Sequence, residues 1–207
     1  MPVSHKHKLI MVHIPKNAGT AIEKSLSMEG TGHFNWKKYA RELPTEWDTY
    51  KSFSVLRNPI DRFISSYNYA KMKKSYWHSV DPSHQTVYGK HIDYDTCIKY
   101  DLNDIVEPWL DGQITLNHPS WMTQYEWIVD GDSVAVDYLA LFDRLDEAMG
   151  YLAPGAEIKK INKSKTDNPV ELSSKNIELL NTHYSVDLNL YEQMDGRALC
   201  RTDGEDI

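Results

Sequence analysis

Residues Leu9–Leu26 read LIMVHIPKNAGTAIEKSL, a stretch that predicts three structural elements in succession. Residues 9–14 form an apolar run that is typical of a buried β-strand. Pro15 ends the run, because proline cannot donate a hydrogen bond to a central strand ladder. Gly19 allows a tight turn, and residues 21–26 favour a helix. The prediction is therefore a strand, a tight turn and the start of a helix.

The predicted turn carries hydrogen-bond donors and a cation. A strand that turns tightly into a helix directs unpaired main-chain N–H groups toward one point, with the positive end of the helix dipole behind them. Such a point binds phosphate or sulfate, and Lys16 adds a mobile cation while Thr20 adds a hydroxyl donor. The alternative is an ordinary β–α turn with a solvent-facing lysine. The turn is not a Walker A loop, because G-x-x-x-x-G-K-S/T is absent and Lys16 precedes Gly19.

A second segment, residues 52–70, repeats this order of elements in the sequence SFSVLRNPIDRFISSYNYA. Residues 53–56 are a short apolar strand candidate, and Arg57 follows at the carboxyl end, where open α/β sheets bind their ligands. Pro59 suits the first turn of a helix. Ser65 then lies about two turns into that helix. A guanidinium and a hydroxyl so placed can hold a second, dianionic phosphate.

These two segments resemble the motifs of a known family. HIPKNAGT is similar to the 5′-phosphosulfate loop, and VLRNPIDRFISSY to the 3′-phosphate motif, of sulfotransferases that use 3′-phosphoadenosine-5′-phosphosulfate (PAPS). The likeness is to the carbohydrate sulfotransferase branch and its small bacterial and viral members. It implies an α/β fold like that of P-loop nucleotide hydrolases, with a central, mostly parallel sheet flanked by helices. It also implies transfer of a sulfuryl group from PAPS to an acceptor hydroxyl on a carbohydrate.

The resemblance implies a role for each matching residue. Lys16 would stabilise the charge on the leaving phosphate, and Arg57 with Ser65 would hold the 3′-phosphate. The residues expected to contact the cofactor are Lys16, Asn17, Ala18, Gly19, Thr20, Ala21, Arg57, Ser65, Lys163 and Ser164. A solvated lysine cluster is the alternative interpretation of the last two. The chain departs from the family at Ala21, where many members carry a serine hydroxyl.

The acceptor hydroxyl needs a base, and His33 is the first candidate. GHFNWKKYAREL lies where several carbohydrate sulfotransferases carry Gly-His followed by a helix. Histidine suits this task because it titrates near neutral pH, and general-base help is worth roughly 10²–10⁴-fold in rate. The alternative is a loop histidine that caps or packs. His118, in HPSW, is the second candidate, whereas His13 is expected to be a buried, hydrogen-bonded strand residue.

Composition limits the partners of the chain. It has 207 residues and a formal net charge of −7, which suits one globular domain, residues 1–207, and argues against nucleic-acid binding through a broad basic surface. Residues 75–117 are expected to be an insertion or lid. The two cysteines and the other possible ligands show no metal-binding spacing, so no metal is expected. The expected partner is a small-molecule or glycan acceptor.

The N-terminal residues lack the apolar segment of a signal peptide, and no stretch reaches transmembrane length. The expectation is therefore a cytoplasmic protein that does not contact a membrane. Two other functions stay open. A metal-dependent kinase of P-loop type is opposed by the order of the lysine and glycine and by the lack of an obvious magnesium carboxylate. A non-catalytic protein that binds 3′,5′-ADP or PAPS is the other alternative.

The remaining sequence predicts further elements. Asn35 is expected to cap a helix over residues 36–42, and a helix is expected to run from Pro59 to about residue 74. The other predictions are a strand over 134–142, helices over 94–100, 144–152, 173–182 and 186–194, and a loose tail over the last dozen residues.

Overall fold

The computed structural model describes residues 1–72, 91–158 and 171–203. These residues divide into two compact units. Among the described residues, the first unit comprises 1–58, 122–158 and 186–203, and the second comprises 59–72, 91–121 and 171–185. That the whole chain is one domain stays a prediction.

The first unit contains a five-stranded sheet in the order β1-β2-β3-β6-β7. Its strands are β1 (Val3–Ser4), β2 (Leu9–Met11), β3 (Lys51–Leu56), β6 (Tyr138–Leu141) and β7 (Leu199–Arg201). The three central strands β2, β3 and β6 are parallel, and both edge strands are antiparallel to their neighbours. The small strands β4 (Val129–Asp130) and β5 (Ser133–Val134) form a separate hairpin.

Helices cover both faces of this sheet. The helices of the first unit are α1 (Gly19–Ser25), α2 (Trp36–Glu42), α3 (Pro44–Thr49), α7 (Tyr125–Ile128) and α8 (Leu145–Leu152), together with most of α10 (Ser185–Gln193). Leu9 and Met11 pack with residues of α1 and α8, whereas Ile10 packs with Tyr39 of α2 and Met194 beyond α10. Because side chains alternate along a strand, β2 buries both of its faces. The predicted fold class, a mostly parallel sheet flanked by helices, is confirmed.

The second unit is helical. It contains α4 (Pro59–Ala70), α5 (Tyr94–Lys99), α6 (Val106–Leu110) and α9 (Ser174–His183). Its buried core includes Phe63, Cys97 and Leu180. The Asp93 carboxylate organises the loop before Trp121, because it accepts hydrogen bonds from the N–H groups of residues 117 and 118 and from the indole of Trp121.

Most predicted elements are present with shifted ends. Asn35 caps α2, since its side chain accepts a hydrogen bond from the Lys38 N–H. The predicted strand over residues 134–142 is interrupted, because Asp137 instead accepts hydrogen bonds from the N–H and hydroxyl of Ser52. The prediction of a loose tail is wrong at Leu199–Arg201, which pairs with β6 as an edge strand. In the part of the chain that the structure describes, no helix has both the length and the apolarity of a membrane span.

Candidate active site

The loop Pro15–Thr20 joins β2 to α1 and has an uncommon backbone conformation. Lys16 and Ala18 have φ angles of 72° and 63°, in the left-handed region, whereas Asn17 between them does not. This alternation of handedness turns successive N–H groups toward one side and makes an anion-binding concavity. Within the described ranges, the N–H groups of residues 17–20 have no main-chain carbonyl partner. The loop thus offers hydrogen-bond donors to a ligand.

The Asn17 side chain fixes this loop from inside the protein. It is 2% exposed, and its Nδ2 donates to the carbonyl of Val55 and to Oε1 of Gln124, both at 2.6 Å. Val55 belongs to β3, so these bonds tie the loop to the neighbouring strand. Since the side chain points into the protein, Asn17 can offer a ligand only its main-chain N–H.

Arg57 lies at the carboxyl end of β3 and contacts the same loop. Its guanidinium donates from Nη1 to the carbonyl of Lys16 at 3.1 Å. Its Cζ lies 4.3 Å from the centroid of the Phe142 ring, a cation–π contact that orients the guanidinium. The structure therefore brings Lys16 and Arg57 together, as the meeting of two parallel strand ends predicts.

Gln124 forms hydrogen bonds with both main-chain polar groups of Arg57. Its Oε1 accepts from the Arg57 N–H at 3.0 Å, and its Nε2 donates to the Arg57 carbonyl at 2.8 Å. Gln124 is itself fully buried, and its N–H donates to the buried carboxylate of Asp187 at 2.7 Å. This network links both loops. The sequence motifs gave no signal for either residue, because both lie far along the chain from Arg57.

Burial and charge change the acidity of Lys16. Burial lowers the pKa of its ammonium from 10.5 to about 7, and the nearby positive charge of Arg57 adds to the effect. Both residues are half-buried, and an anion bound beside them would offset the repulsion between their charges. Perturbed pKa values of this kind are common in binding and catalytic sites.

His13 packs against the loop at Gly19. A Cβ atom built on Gly19 would lie 1.8 Å from Nε2 of His13, so only glycine leaves room for the imidazole. Nδ1 of His13 lies 2.8 Å from Oε1 of Glu23, and both side chains are nearly buried. The sequence-based expectation of a buried, hydrogen-bonded His13 is confirmed, although the residue lies just beyond β2.

His33 is exposed and lies next to His13. Its Nδ1 is 3.1 Å from the main-chain carbonyl of His13, and the two ring centroids are 4.2 Å apart. A carbonyl only accepts hydrogen bonds, so Nδ1 must carry the proton. In the neutral ring, Nε2 is then the basic nitrogen. His33 thus belongs to the same unit as the Lys16 loop.

His118 belongs to the second unit and has the opposite tautomer. It is 7% exposed, and its Nδ1 accepts a hydrogen bond from the Ser120 N–H at 3.1 Å. The proton of the neutral ring is therefore on Nε2, which makes that nitrogen a donor. This tautomer is unfavourable for a general base acting through Nε2.

The other candidates have varied positions. Thr20 is exposed in the first turn of α1, and Ala21, in the same turn, is buried. Ser65 is half-buried on α4 in the second unit. Lys163 and Ser164 lie outside the described residues. Among the residues that are described, no group of three or more His, Cys, Asp or Glu side chains is placed to hold a metal ion.

A mostly parallel α/β sheet with Lys16 and Arg57 after two neighbouring strands is typical of proteins that bind anionic ligands. Comparison with known families identifies the ligand class more closely. The model of the sulfotransferase family matches residues 1–195. The chain therefore belongs to the sulfotransferase family, and sulfuryl transfer is the chemistry of that family. No curated protein matches the chain in sequence.

Proposed function

We propose that this protein transfers the sulfuryl group of PAPS to an acceptor hydroxyl on a carbohydrate. One observation carries the assignment of the donor: the Arg57 guanidinium contacts the carbonyl of Lys16 at 3.1 Å. Arg57 thereby contacts the loop that contains Lys16 and the main-chain N–H donors, and its charge acts on the Lys16 ammonium. PAPS carries phosphate groups on both the 5′ and the 3′ side of its ribose, so a paired site suits it better than a site with a single cation.

The loop residues would hold the 5′ side of the donor. The N–H groups of residues 17–20 and the Thr20 hydroxyl would bind the 5′-phosphate, while Ala21 contributes only the start of α1. Arg57 would bind the 3′-phosphate. We also propose that the cofactor contacts Ser65, Lys163 and Ser164, and this part of the proposal is based on the resemblance in sequence alone.

Lys16 would assist the breaking of the S–O bond. As the acceptor oxygen bonds to sulfur, the bond from sulfur to the bridging oxygen breaks and negative charge develops on the leaving phosphate. An ammonium placed at that oxygen stabilises the charge more in the transition state than in the ground state. The lowered pKa of Lys16 supports this role, because the ammonium gains most from an anion that compensates its burial.

His33 would remove the proton of the acceptor hydroxyl. The hydrogen bond from its Nδ1 to the His13 carbonyl leaves Nε2 as the basic nitrogen. The opposite arrangement at His118 favours His33 of the two candidates. The proton would pass to Nε2 as the acceptor oxygen attacks sulfur.

A transfer assay tests this function. Labelled PAPS is incubated with a panel of desulfated glycans, and the proposal expects label in at least one glycan. Lys16→Met should abolish the transfer, whereas the control Lys24→Met, at an exposed position of α1, should not. Binding of 3′,5′-ADP without any transfer would favour the non-catalytic alternative. Binding of ATP with magnesium in place of 3′,5′-ADP would favour a kinase.

A further inference from the structure

A buried histidine–glutamate pair lies between the phosphate-binding loop and the proposed base. Nδ1 of His13 and Oε1 of Glu23 are 2.8 Å apart, and their side chains are 7% and 13% exposed. The His13 ring fills the space where a side chain at position 19 would be. The same ring lies 4.2 Å, centroid to centroid, from the ring of His33.

We infer that His13, held by Glu23, is the positioning residue that sets the distance between the Lys16 loop and His33. The inference rests on the proposed function, because it takes His33 as the base. His13 contacts the loop through its ring at Gly19 and contacts His33 twice, through its ring and its carbonyl. A shift of the His13 ring would therefore move His33 relative to the loop.

Glu23 determines the orientation of the His13 ring. The χ2 torsion of histidine is broad and roughly two-fold, so packing alone permits a flipped ring. A charge-assisted hydrogen bond to Nδ1 selects one orientation and places Nε2 against Gly19. The bond also compensates the cost of burying a carboxylate.

His33 does not belong to a helix or a strand. It lies in the irregular segment between α1 and α2, and its side chain is exposed. Among the described residues its ring neighbours are His13 and Trp127, and the Trp127 centroid is 6.4 Å away. A base needs placement within hydrogen-bond reach of its proton, and a misplacement of about 1 Å can cost roughly 10²-fold in rate. The ring and the carbonyl of His13 both contact His33, and these contacts contribute to its placement.

The test uses Glu23→Gln in the full chain, because glutamine preserves the size of the side chain and removes the charge. Two readouts do not require the acceptor: the long-range ¹H–¹⁵N spectra of the histidine rings, and the slow release of 3′,5′-ADP from PAPS with water as acceptor. The matched control is Glu29→Gln, since Glu29 pairs with His5 at 3.9 Å but is 76% exposed. A third variant, His33→Asn, removes the proposed base.

The expected result is a loss of the single Nδ1–H tautomer of His33 in Glu23→Gln and a fall in the release rate of about 10-fold to 100-fold. The affinity for 3′,5′-ADP should stay unchanged, and Glu29→Gln should match the wild type in both readouts. Wild-type ring spectra and an unchanged rate in Glu23→Gln would overturn the inference.

Two further outcomes separate this inference from the proposed function. If His33→Asn keeps the wild-type rate while Lys16→Met loses it, the donor site stands and the positioning role is overturned. If the wild type does not bind 3′,5′-ADP, the proposed function fails. The ring spectra of Glu23→Gln then decide by themselves whether Glu23 positions His33.

Discussion

Nη1 of Arg57 donates a hydrogen bond to the main-chain carbonyl of Lys16 at 3.1 Å. This bond joins Arg57, which follows β3, to the loop that follows β2 and contains Lys16. A donor with two phosphate-bearing ends would offer one anionic group to each of these residues.

Replacing Arg57 with methionine should weaken binding of 3′,5′-ADP about tenfold or more, because a charge-assisted hydrogen bond is worth roughly 1.5–3 kcal/mol. Binding of 5′-AMP, which lacks the 3′-phosphate, should change much less. Calorimetric titration with both nucleotides measures the difference. Arg41→Met is the control, since Arg41 is 73% exposed. If Arg57→Met weakened the binding of both nucleotides equally, Arg57 would not be the residue that binds the 3′-phosphate.

Binding of 3′,5′-ADP should weaken as the pH rises above 7. The pKa of Lys16 is lowered to about 7, so the unliganded protein loses this positive charge above that pH. A bound anion favours the ammonium, so binding has its full strength below about pH 7 and must take up a proton above it. Titration in buffers with different ionisation enthalpies detects that proton. Lys16→Arg keeps its charge and should show a weaker pH dependence, and equal profiles for both proteins would contradict the assignment.

Replacing Lys16 with methionine should stabilise the unliganded protein. Below about pH 7 both the folded and the unfolded chain carry the ammonium, and its burial destabilises the folded state. Between about pH 7 and 10.5 the unfolded chain binds more protons, so the stability of the wild type rises with pH. The excess stability of Lys16→Met should therefore shrink over that range.

Thermal denaturation measures the difference in stability between Lys16→Met and the wild type. In a chain of this size, each kcal/mol shifts the melting temperature by about 2–4 °C. Lys24→Met provides the control, because Lys24 is exposed on α1. A Lys16→Met protein less stable than the wild type at pH 7 would mean that the ammonium is stabilised by its surroundings.

Gln124→Leu should lower both stability and binding of 3′,5′-ADP. The change leaves the Arg57 N–H, the Arg57 carbonyl and one Asn17 bond without their partner. Each buried group left unsatisfied costs about 1–3 kcal/mol. Denaturation by urea and calorimetry measure the two losses, with the exposed Gln113→Leu as control. Normal 3′,5′-ADP binding by a folded Gln124→Leu protein would show that the network is not needed for the site.

Gly19→Ala should displace the His13 ring, since the added Cβ would lie 1.8–2.3 Å from three of its atoms. The expected results are a less stable protein and an altered His13 signal in ring spectra. Gly150→Ala is the control: a Cβ there meets nothing within 4 Å, and alanine in α8 should stabilise the helix by about 1 kcal/mol. Retained stability and an unchanged His13 signal in Gly19→Ala would contradict this packing.

Local patterns predicted much of the fold. The first three residues of the apolar run at 9–14 and the strand before Arg57 are both in the sheet. The chain turns between Pro15 and Gly19 as predicted, but the positive φ angles are at Lys16 and Ala18 and not at the glycine. These features depend on residues that are close together in the chain. The resemblance to the family motifs also predicts the order in which strand, turn and helix follow one another.

The buried residues that hold the site loops in place could not be predicted in the same way. The amide of Gln124 bonds to a residue 107 positions away, and its N–H bonds to Asp187, 63 positions away. Neither residue stands in a motif, and an isolated Gln or Asp in sequence is most often a surface residue. Only the tertiary structure shows that they are buried and that they join the two loops.

The most direct measurement is a ³¹P NMR titration of 3′,5′-ADP, which reports the two phosphates separately. The account predicts that binding to the wild type shifts both signals, that Arg57→Met reduces mainly the shift of the 3′-phosphate, and that Lys16→Met reduces mainly that of the 5′-phosphate. If both variants reduce the shift of the same phosphate, or if neither changes a shift, the pairing of Lys16 and Arg57 around a doubly phosphorylated nucleotide is wrong.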